Sequence, residues 1–125
     1  MRDYTVKVLD ERDLEFIETL RSLGVPRNVA SLITYLSNMK EVSSREIEMG
    51  TGLRQPEVSI GMRTLRDNGW IDEHEVKSSG KGRPMKVYAL KVPMAEIITH
   101  FEQKKLSESA QAMESIRRLK ELSSA

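Results

Sequence analysis

The sequence predicts a mainly α-helical fold with one small β-hairpin, which places it in the α+β class. In most of the chain, apolar residues recur at intervals of three and four, as they do along one side of an α-helix. Only two segments have the character of strands: one starts at Trp70-Ile71, and the other is the alternating run from Met85 to Leu90. The loop between these segments contains Gly80, Gly82 and Pro84, a composition that is typical of a hairpin tip.

Two core helices are expected before residue 40. The first opens near Asp13 and closes at Gly24, and its apolar side consists of Leu14, Ile17, Leu20 and Leu23. The second runs from Pro26 to about Asn38, and its apolar residues are Val29, Ala30, Leu32, Ile33 and Leu36. Both patterns indicate helices that pack against the rest of the fold.

A short third helix is predicted to begin after Ser43. The Ser43 hydroxyl can cap the free amides of the first turn while Glu46, three residues later, reaches back to the cap. Ile47 and Met49 form a short apolar edge. The segment Gly50-Thr51-Gly52 then ends the helix, because glycine adopts the positive φ angles of a tight turn. Leu53 follows as an expected core anchor.

The fourth helix begins at Pro56, which suits a first helical position because it has no amide hydrogen to leave unpaired. Its core side consists of Val58, Met62 and Leu65, and Asn68-Gly69 supplies the stop. Gly61 lies mid-helix, where glycine costs about 1 kcal/mol relative to alanine, so we expect it to allow close packing of another helix. Trp70 and Tyr88 are expected in the hairpin core.

Composition and charge exclude several classes of function. Of the 125 residues, 38% are hydrophobic and 31% charged, as in ordinary soluble domains. There is no cysteine, which excludes disulfides, thiolate metal sites and cysteine nucleophiles. No apolar run approaches the roughly 20 residues of a membrane span, and no secretory apolar stretch follows Met1. We therefore expect a cytoplasmic protein without membrane contact.

No enzymatic motif is found, and neither a cofactor nor a metal is predicted. Gly80-Lys81-Gly82 differs from a phosphate-binding loop, because the position five residues before Gly80 is Glu75 and neither Ser nor Thr follows the lysine. The two histidines, His74 and His100, are too far apart for a helical metal-binding pair. We expect them on the surface or in helix packing.

The positive charge is concentrated near the hairpin. The net charge of the chain is only +1, but the segment from Lys77 to Lys86 holds four basic residues (Lys77, Lys81, Arg83 and Lys86) and no acidic one. For an isolated loop, solubility and protection of a sheet edge would explain such charges. The predicted third and fourth helices, joined by the tight turn at Gly52, form a helix-turn-helix pattern. Next to such a pattern, contact with phosphate is the better explanation.

A long helical pattern follows Pro93, either as one helix or as two with a break near Ser107. We predict a domain at 1–91 and a helical dimerisation segment at 92–125. A second copy of the chain is the simplest cover for its apolar stripe, and folding back on the first helix is the alternative. Lys105, Arg117 and Lys120 fall near the seam, which argues against a long parallel coiled coil. The predicted dimerisation residues are Ile98, Phe101, Leu106, Met113 and Ile116.

The order of elements resembles the winged helix-turn-helix of TrmB-like and MarR-like prokaryotic transcription regulators. The resemblance covers residues 20 to 91 and rests on Leu23-Gly24, Ser43-Ser44-Arg45-Glu46-Ile47, Thr51-Gly52-Leu53, Val58-Ser59, Leu65 and Asn68-Gly69-Trp70-Ile71. It is similar to compact archaeal regulators of this group. The resemblance implies a winged helix-turn-helix with a long C-terminal dimerisation helix, in a homodimer that binds double-stranded DNA.

The sensing properties of the related families do not carry over. The residues after Leu90 are too few for the sugar-binding domain of TrmB proteins, and the cysteines through which ArsR-like relatives often sense metals are absent. MarR-like relatives often bind small aromatic molecules in a dimer cleft. A small-molecule effector is therefore possible, but the sequence does not identify it.

In the docking mode of this family, a recognition helix at about 56–68 enters the major groove and a basic wing at 77–86 contacts the backbone or the minor groove. The predicted base-reading residues are Gln55, Pro56, Ser59, Ile60 and Arg63. Backbone contacts are expected from Ser43, Ser44, Arg45, Thr51 and Arg54, and wing contacts from Lys77, Lys81, Arg83 and Lys86.

Two alternatives remain at this point. Ile60 either contacts a thymine methyl group or is buried against the wing or another helix, whereas Arg66 is expected to pair with a carboxylate. For the whole protein, a winged helix can also serve as a protein-protein docking module of a transcription assembly, with the same helix used on a protein surface. An apolar, charge-poor helix face would favour docking, and the arginine and wing cations favour DNA.

Overall fold

The computed structural model describes residues 8–77 and 84–124. The chain divides into one unit that ends at Val92 and a second that starts at Pro93. The elements of the first unit are α1 (Glu11–Ser22), α2 (Arg27–Ser37), β1 (Val42–Ser43), α3 (Ser44–Thr51), α4 (Gln55–Asp67), β2 (Ile71–Val76) and β3 (Met85–Leu90). The second unit contains α5 (Met94–Ser123).

Helix α2 is the centre of the core. Every residue from Val29 to Leu36 is buried, and α2 packs against α1, α3, α4 and β3. The burial extends beyond the apolar side predicted from the sequence, because Ser31 and Thr34 are buried as well. The Thr34 hydroxyl is satisfied within the helix, where it donates to the carbonyl of Ala30 at 2.8 Å. A helix enclosed in this way gives the other elements a fixed surface.

Helix α1 begins at Glu11, two residues before the predicted position near Asp13. Asp10 is the N-cap, and Asp13 is its partner in a reciprocal capping box, in which the amide of each residue donates to the carboxylate of the other. Asn38, just after α2, also donates to Asp13, at 3.2 Å. The prediction that Leu14 and Leu23 are core residues is wrong, since they are 51% and 41% exposed. Ile17 and Leu20 are buried as predicted.

Helix α3 has the predicted capping box at its start. The Glu46 amide donates to Ser43 Oγ at 3.2 Å, and the Ser43 amide donates to Glu46 Oε1 at 3.3 Å. Gly52 ends the helix with a φ of 75°, a left-handed conformation that favours glycine. The prediction of an apolar edge is only half correct, because Ile47 is buried while Met49 is exposed.

Helix α4 is held against α2 by close packing and one hydrogen bond. A β-carbon added at Gly61 would lie 2.3 Å from Leu32 Cδ1, so the prediction that this glycine allows close helix packing is confirmed. The Asn28 side-chain amide donates to the carbonyl of Glu57 at 3.1 Å. The predicted inward side, Val58, Met62 and Leu65, is buried.

The sheet contains the predicted hairpin and one strand that the sequence analysis missed. Its order is β1-β3-β2 and both pairings are antiparallel. Strand β1 pairs Val42 with Tyr88 and Ser43 with Val87. Two residues are too short for an alternating pattern, so this strand exists only through its pairing with β3. Trp70 and Tyr88 are buried as predicted.

Together these elements form a winged helix-turn-helix. Helices α3 and α4 are joined by the turn at Gly52-Leu53-Arg54, and the hairpin β2–β3 follows α4 as the wing. Leu53 is buried in the turn and anchors it to the core as predicted. The mainly α, α+β class and the order of the elements are therefore confirmed.

Helix α5 is one continuous helix of 30 residues, about 45 Å long, without a break at Ser107. Most of its apolar side chains are exposed: Ile98, Leu106, Met113, Ile116, Leu119 and Leu122. Arg117 pairs with Glu114 and Glu121 along the helix surface. In the described part of the chain, no helix combines the length and apolar character that crossing a bilayer requires.

Candidate nucleic-acid interface

The outward side of α4 carries the residues that the sequence analysis selected for reading bases. Gln55, Pro56, Ser59 and Arg63 are all exposed, opposite the buried side of the same helix. Ile60 is 63% exposed, so the alternative that it is buried against the wing or another helix is wrong. An apolar side chain that is mostly exposed in its own chain is available to a partner.

A groove of about 230 Å³ lies between α4 and the hairpin, and we call it the α4–hairpin groove. Among the described residues, its cationic side chains are Arg63 and Arg66 from α4 and Lys86 from β3. The lining also includes the hydroxyl-bearing residues Ser44, Ser59 and Tyr88 and the amide-bearing Gln55. The groove therefore gathers cationic and hydrogen-bonding residues from α3, α4 and β3, and in the sequence β3 is separated from the two helices by strand β2.

One carboxylate, that of Glu73, is also found among the described residues lining the α4–hairpin groove. Arg66 Nη2 donates to Glu73 Oε1 at 3.0 Å, which confirms the prediction that Arg66 pairs with a carboxylate. The two side chains are 50% and 28% exposed. Pairs with this much solvent contact contribute about 0 to 1 kcal/mol to stability, so the bond is easily exchanged for another.

The wing is less uniformly basic than its loop sequence suggests. Lys77 and Lys86 are exposed as a phosphate contact requires, whereas Lys81 and Arg83 lie outside the described residues. The register places Glu75 directly opposite Lys86, and Glu73 opposite Tyr88. Residues paired in this way share one face of the hairpin, so acidic groups of β2 accompany the cation of β3. The loop sequence alone does not indicate this pairing, because the pairing depends on strand register.

The predicted backbone contacts around α3 divide into two groups. Ser44, Arg45 and Arg54 have solvent-accessible side chains, as such contacts require. Ser43 is only 2% exposed, and its hydroxyl donates to Glu46 Oε1 at 3.1 Å. Ser43 is therefore removed from the set of phosphate contacts, because its burial and its cap bonds leave no path to a ligand.

The Thr51 hydroxyl is engaged inside the turn between the two helices. It donates to the carbonyl of Ile47 at 2.6 Å and accepts from the amide of Leu53 at 3.2 Å. Arg54 precedes α4, and its amide donates to Glu57 Oε1 at 3.1 Å. These bonds fix the direction in which α4 leaves the turn, and thereby the direction of its outward side.

A second concavity, of about 300 Å³, lies beside α3 at the start of β3. Its described lining includes Arg45, Met49 and Met85 together with the Ser43–Glu46 cap. Nothing in the sequence pattern indicated this concavity, because α3 and β3 are about 40 residues apart and meet only in the fold.

The histidines do not form a metal site. His74 lies on the surface as predicted, with Nε2 3.3 Å from Glu41 Oε2. His100 stacks edge-on against the Phe101 ring, with centroids 5.3 Å apart. Within residues 8–77 and 84–124, no group of three or more His, Asp or Glu side chains is placed to hold a metal ion.

Comparisons with known proteins give structural likenesses only. No protein-family model matches the chain, and no curated protein matches its sequence. A MarR family regulator from Neisseria meningitidis is similar in structure with a TM-score of 0.48 and 16% identity, over 87% of this chain and 83% of that one. The circadian clock associated protein Pex from Anabaena is similar with a TM-score of 0.47 and 16% identity, over 69% of this chain and 80% of that one.

Proposed function

We propose that the protein is a sequence-specific transcription regulator that binds double-stranded DNA as a homodimer. The observation that carries this proposal is the exposed side of α4 beside the cationic α4–hairpin groove. An α-helix fits the major groove, where base edges present distinct patterns of donors and acceptors. The outward side of α4 is exposed along the helix, because the residues that pack against the core lie on the opposite side.

Several exposed residues of α4 have chemically suitable partners on DNA. The Arg63 guanidinium can donate two hydrogen bonds to a guanine, and the Gln55 amide can pair with an adenine. Ser59 suits a base or a phosphate, Pro56 packs at the helix start, and Ile60 fits a thymine methyl group. Ser44, Arg45 and Arg54 would contact the phosphate backbone from the first helix and the turn of the motif, and Lys77 and Lys86 would contact it from the wing.

We propose the homodimer on the basis of α5. Ile98, Phe101, Met113 and Ile116 follow one another on one side of this helix, with Leu106 beside them, and all but the half-buried Phe101 are exposed. An exposed apolar stripe of this length is unfavourable in water and is covered most simply by the same stripe on a second copy. A two-fold dimer would present two α4 helices to half-sites about 34 Å apart, or a multiple of that distance.

Binding to random duplex DNA at two salt concentrations tests the proposal. If a dimer neutralises about six phosphates, its affinity should fall about a thousandfold between roughly 50 and 200 mM salt, because bound counterions are released. Selection of bound fragments from a random DNA library should then yield a palindrome. Absence of binding, or binding that does not respond to salt, would refute DNA recognition and favour protein docking through the exposed Ile60.

A further inference from the structure

The α4–hairpin groove contains an imbalance of charge that the fold does not require. Arg63, Arg66 and Lys86 line it against the single carboxylate of Glu73 within the described part of the chain. Only Arg66 is bonded to that carboxylate, at 3.0 Å. The lining is mostly polar, so the groove is not a continuation of the apolar core. Positive side chains held together in a concavity favour an anion.

The position of the groove indicates which anion would reach it, provided that the proposed function holds. The major and minor grooves of duplex DNA are separated by a sugar-phosphate strand. If α4 lies in the major groove and the hairpin at the adjacent minor groove, this strand passes between them. The α4–hairpin groove is the concavity between those two elements. A backbone phosphate would therefore lie over Arg66 and Glu73.

We propose that the α4–hairpin groove binds one backbone phosphate, and that Arg66 exchanges Glu73 for this phosphate when DNA binds. Arg66 is suited to the exchange because a guanidinium forms bidentate bonds with phosphate as well as with carboxylate. Both partners already have solvent contact, so breaking their bond exposes no buried charge. Glu73 then faces the phosphate without its counterion.

Glu73 consequently limits the affinity of the protein for DNA. In the free protein it occupies Arg66, and in the complex its negative charge repels the neighbouring phosphate. Both effects weaken binding to every sequence alike, because backbone phosphates carry no sequence information. The discrimination between sequences stays with the outward side of α4, which does not involve Glu73. The residue thus lowers non-specific occupancy without changing base preference.

The test is the affinity of full-length Glu73→Gln for a fixed duplex, compared with Asp72→Asn. Both substitutions remove one negative charge from adjacent positions of β2, but neighbouring residues of a strand point to opposite faces, and Asp72 is absent from the groove lining. We expect Glu73→Gln to bind roughly three- to tenfold more tightly than Asp72→Asn. Its plot of log affinity against log salt should be steeper by up to about 0.9 per protomer.

Two results would overturn the proposal. Equal affinity and salt slope for the two variants would show that the groove does not meet a phosphate. Weaker binding by Glu73→Gln, with an unchanged melting temperature, would show that the ion pair instead holds the hairpin in the DNA-binding orientation. If the wild-type protein binds no duplex at all, the proposed function fails first.

Discussion

The two sides of α4 differ in whether packing against the core constrains their residues. On the inner side, Val58, Met62 and Leu65 are buried, and Gly61 lets Leu32 approach closely. On the outer side, Ser59, Ile60 and Arg63 lie between these residues in the sequence but are exposed. Within the same turns of α4, packing against the core therefore constrains the inner residues and leaves the outer residues unconstrained.

This difference explains why the outer side supports a functional argument and the inner side does not. A buried apolar residue stabilises the fold whatever the protein does. Ile60 has no such role, since it is 63% exposed and gains little from folding. If the two sides are independent, substitutions on one should change unfolding and substitutions on the other should change binding.

The largest expected effect is on the inner side. Met62→Ala should lower the free energy of unfolding by about 2 to 5 kcal/mol, because it removes a buried side chain and leaves a cavity in the core. Thermal and denaturant unfolding at one protein concentration measure this loss. Met49→Ala is the matched control: its side chain is 60% exposed, so we expect a change within about 0.5 kcal/mol. Similar losses for both methionines would contradict the difference expected between a buried and an exposed position.

Arg63→Ala should change binding without changing stability. We expect it to lose about 1 to 3 kcal/mol of discrimination at one base pair per half-site, because a bidentate contact with guanine is removed. Lys86→Ala is the informative comparison, since loss of a phosphate contact should weaken binding to all sequences equally. Fragment selection with each variant measures both outcomes. If the preferred sequence survives Arg63→Ala, the assignment of Arg63 to base reading is wrong.

The smallest expected effect concerns Ile60. Replacement of one thymine by uracil in the binding site removes only a methyl group, which should cost the wild-type protein roughly 0.8 kcal/mol at the position that Ile60 contacts. Ile60→Ala should bind the thymine and uracil duplexes equally. The measurement scans each thymine of the selected site in turn. No sensitivity to uracil at any position would exclude the methyl contact.

Much of the fold could be predicted because its signals are local. Three features are each encoded within a few residues: the capping box at Ser43 and Glu46, the end of α3 at Gly52 and the inner side of α4. The structure has all three where they were expected. The same local signals failed for Leu14 and Leu23. Their spacing is helical, but which apolar residues of a helix are covered depends on the width of the neighbouring surface.

The candidate site was only partly predictable for the same reason. The outward residues of α4 follow from helical period, because the core side of a helix determines the opposite side. For Arg66, a carboxylate partner was predicted, but not that the partner would be Glu73, because a sequence does not tell which carboxylate will be near. The burial of Ser43 and the strand β1 were not predicted, because both depend on pairing with β3.

The amino-acid sequence by itself determined the helices, the hairpin, their order and the inward side of α4, because backbone preferences and apolar period act over a few residues. Tertiary structure alone decided that Arg63, Arg66, Glu73 and Lys86 line one groove. Their juxtaposition requires α4 to be held on α2 and the hairpin to fold back in a particular register. Those are long-range contacts, and the effect of a charged group depends on the groups that such contacts place beside it.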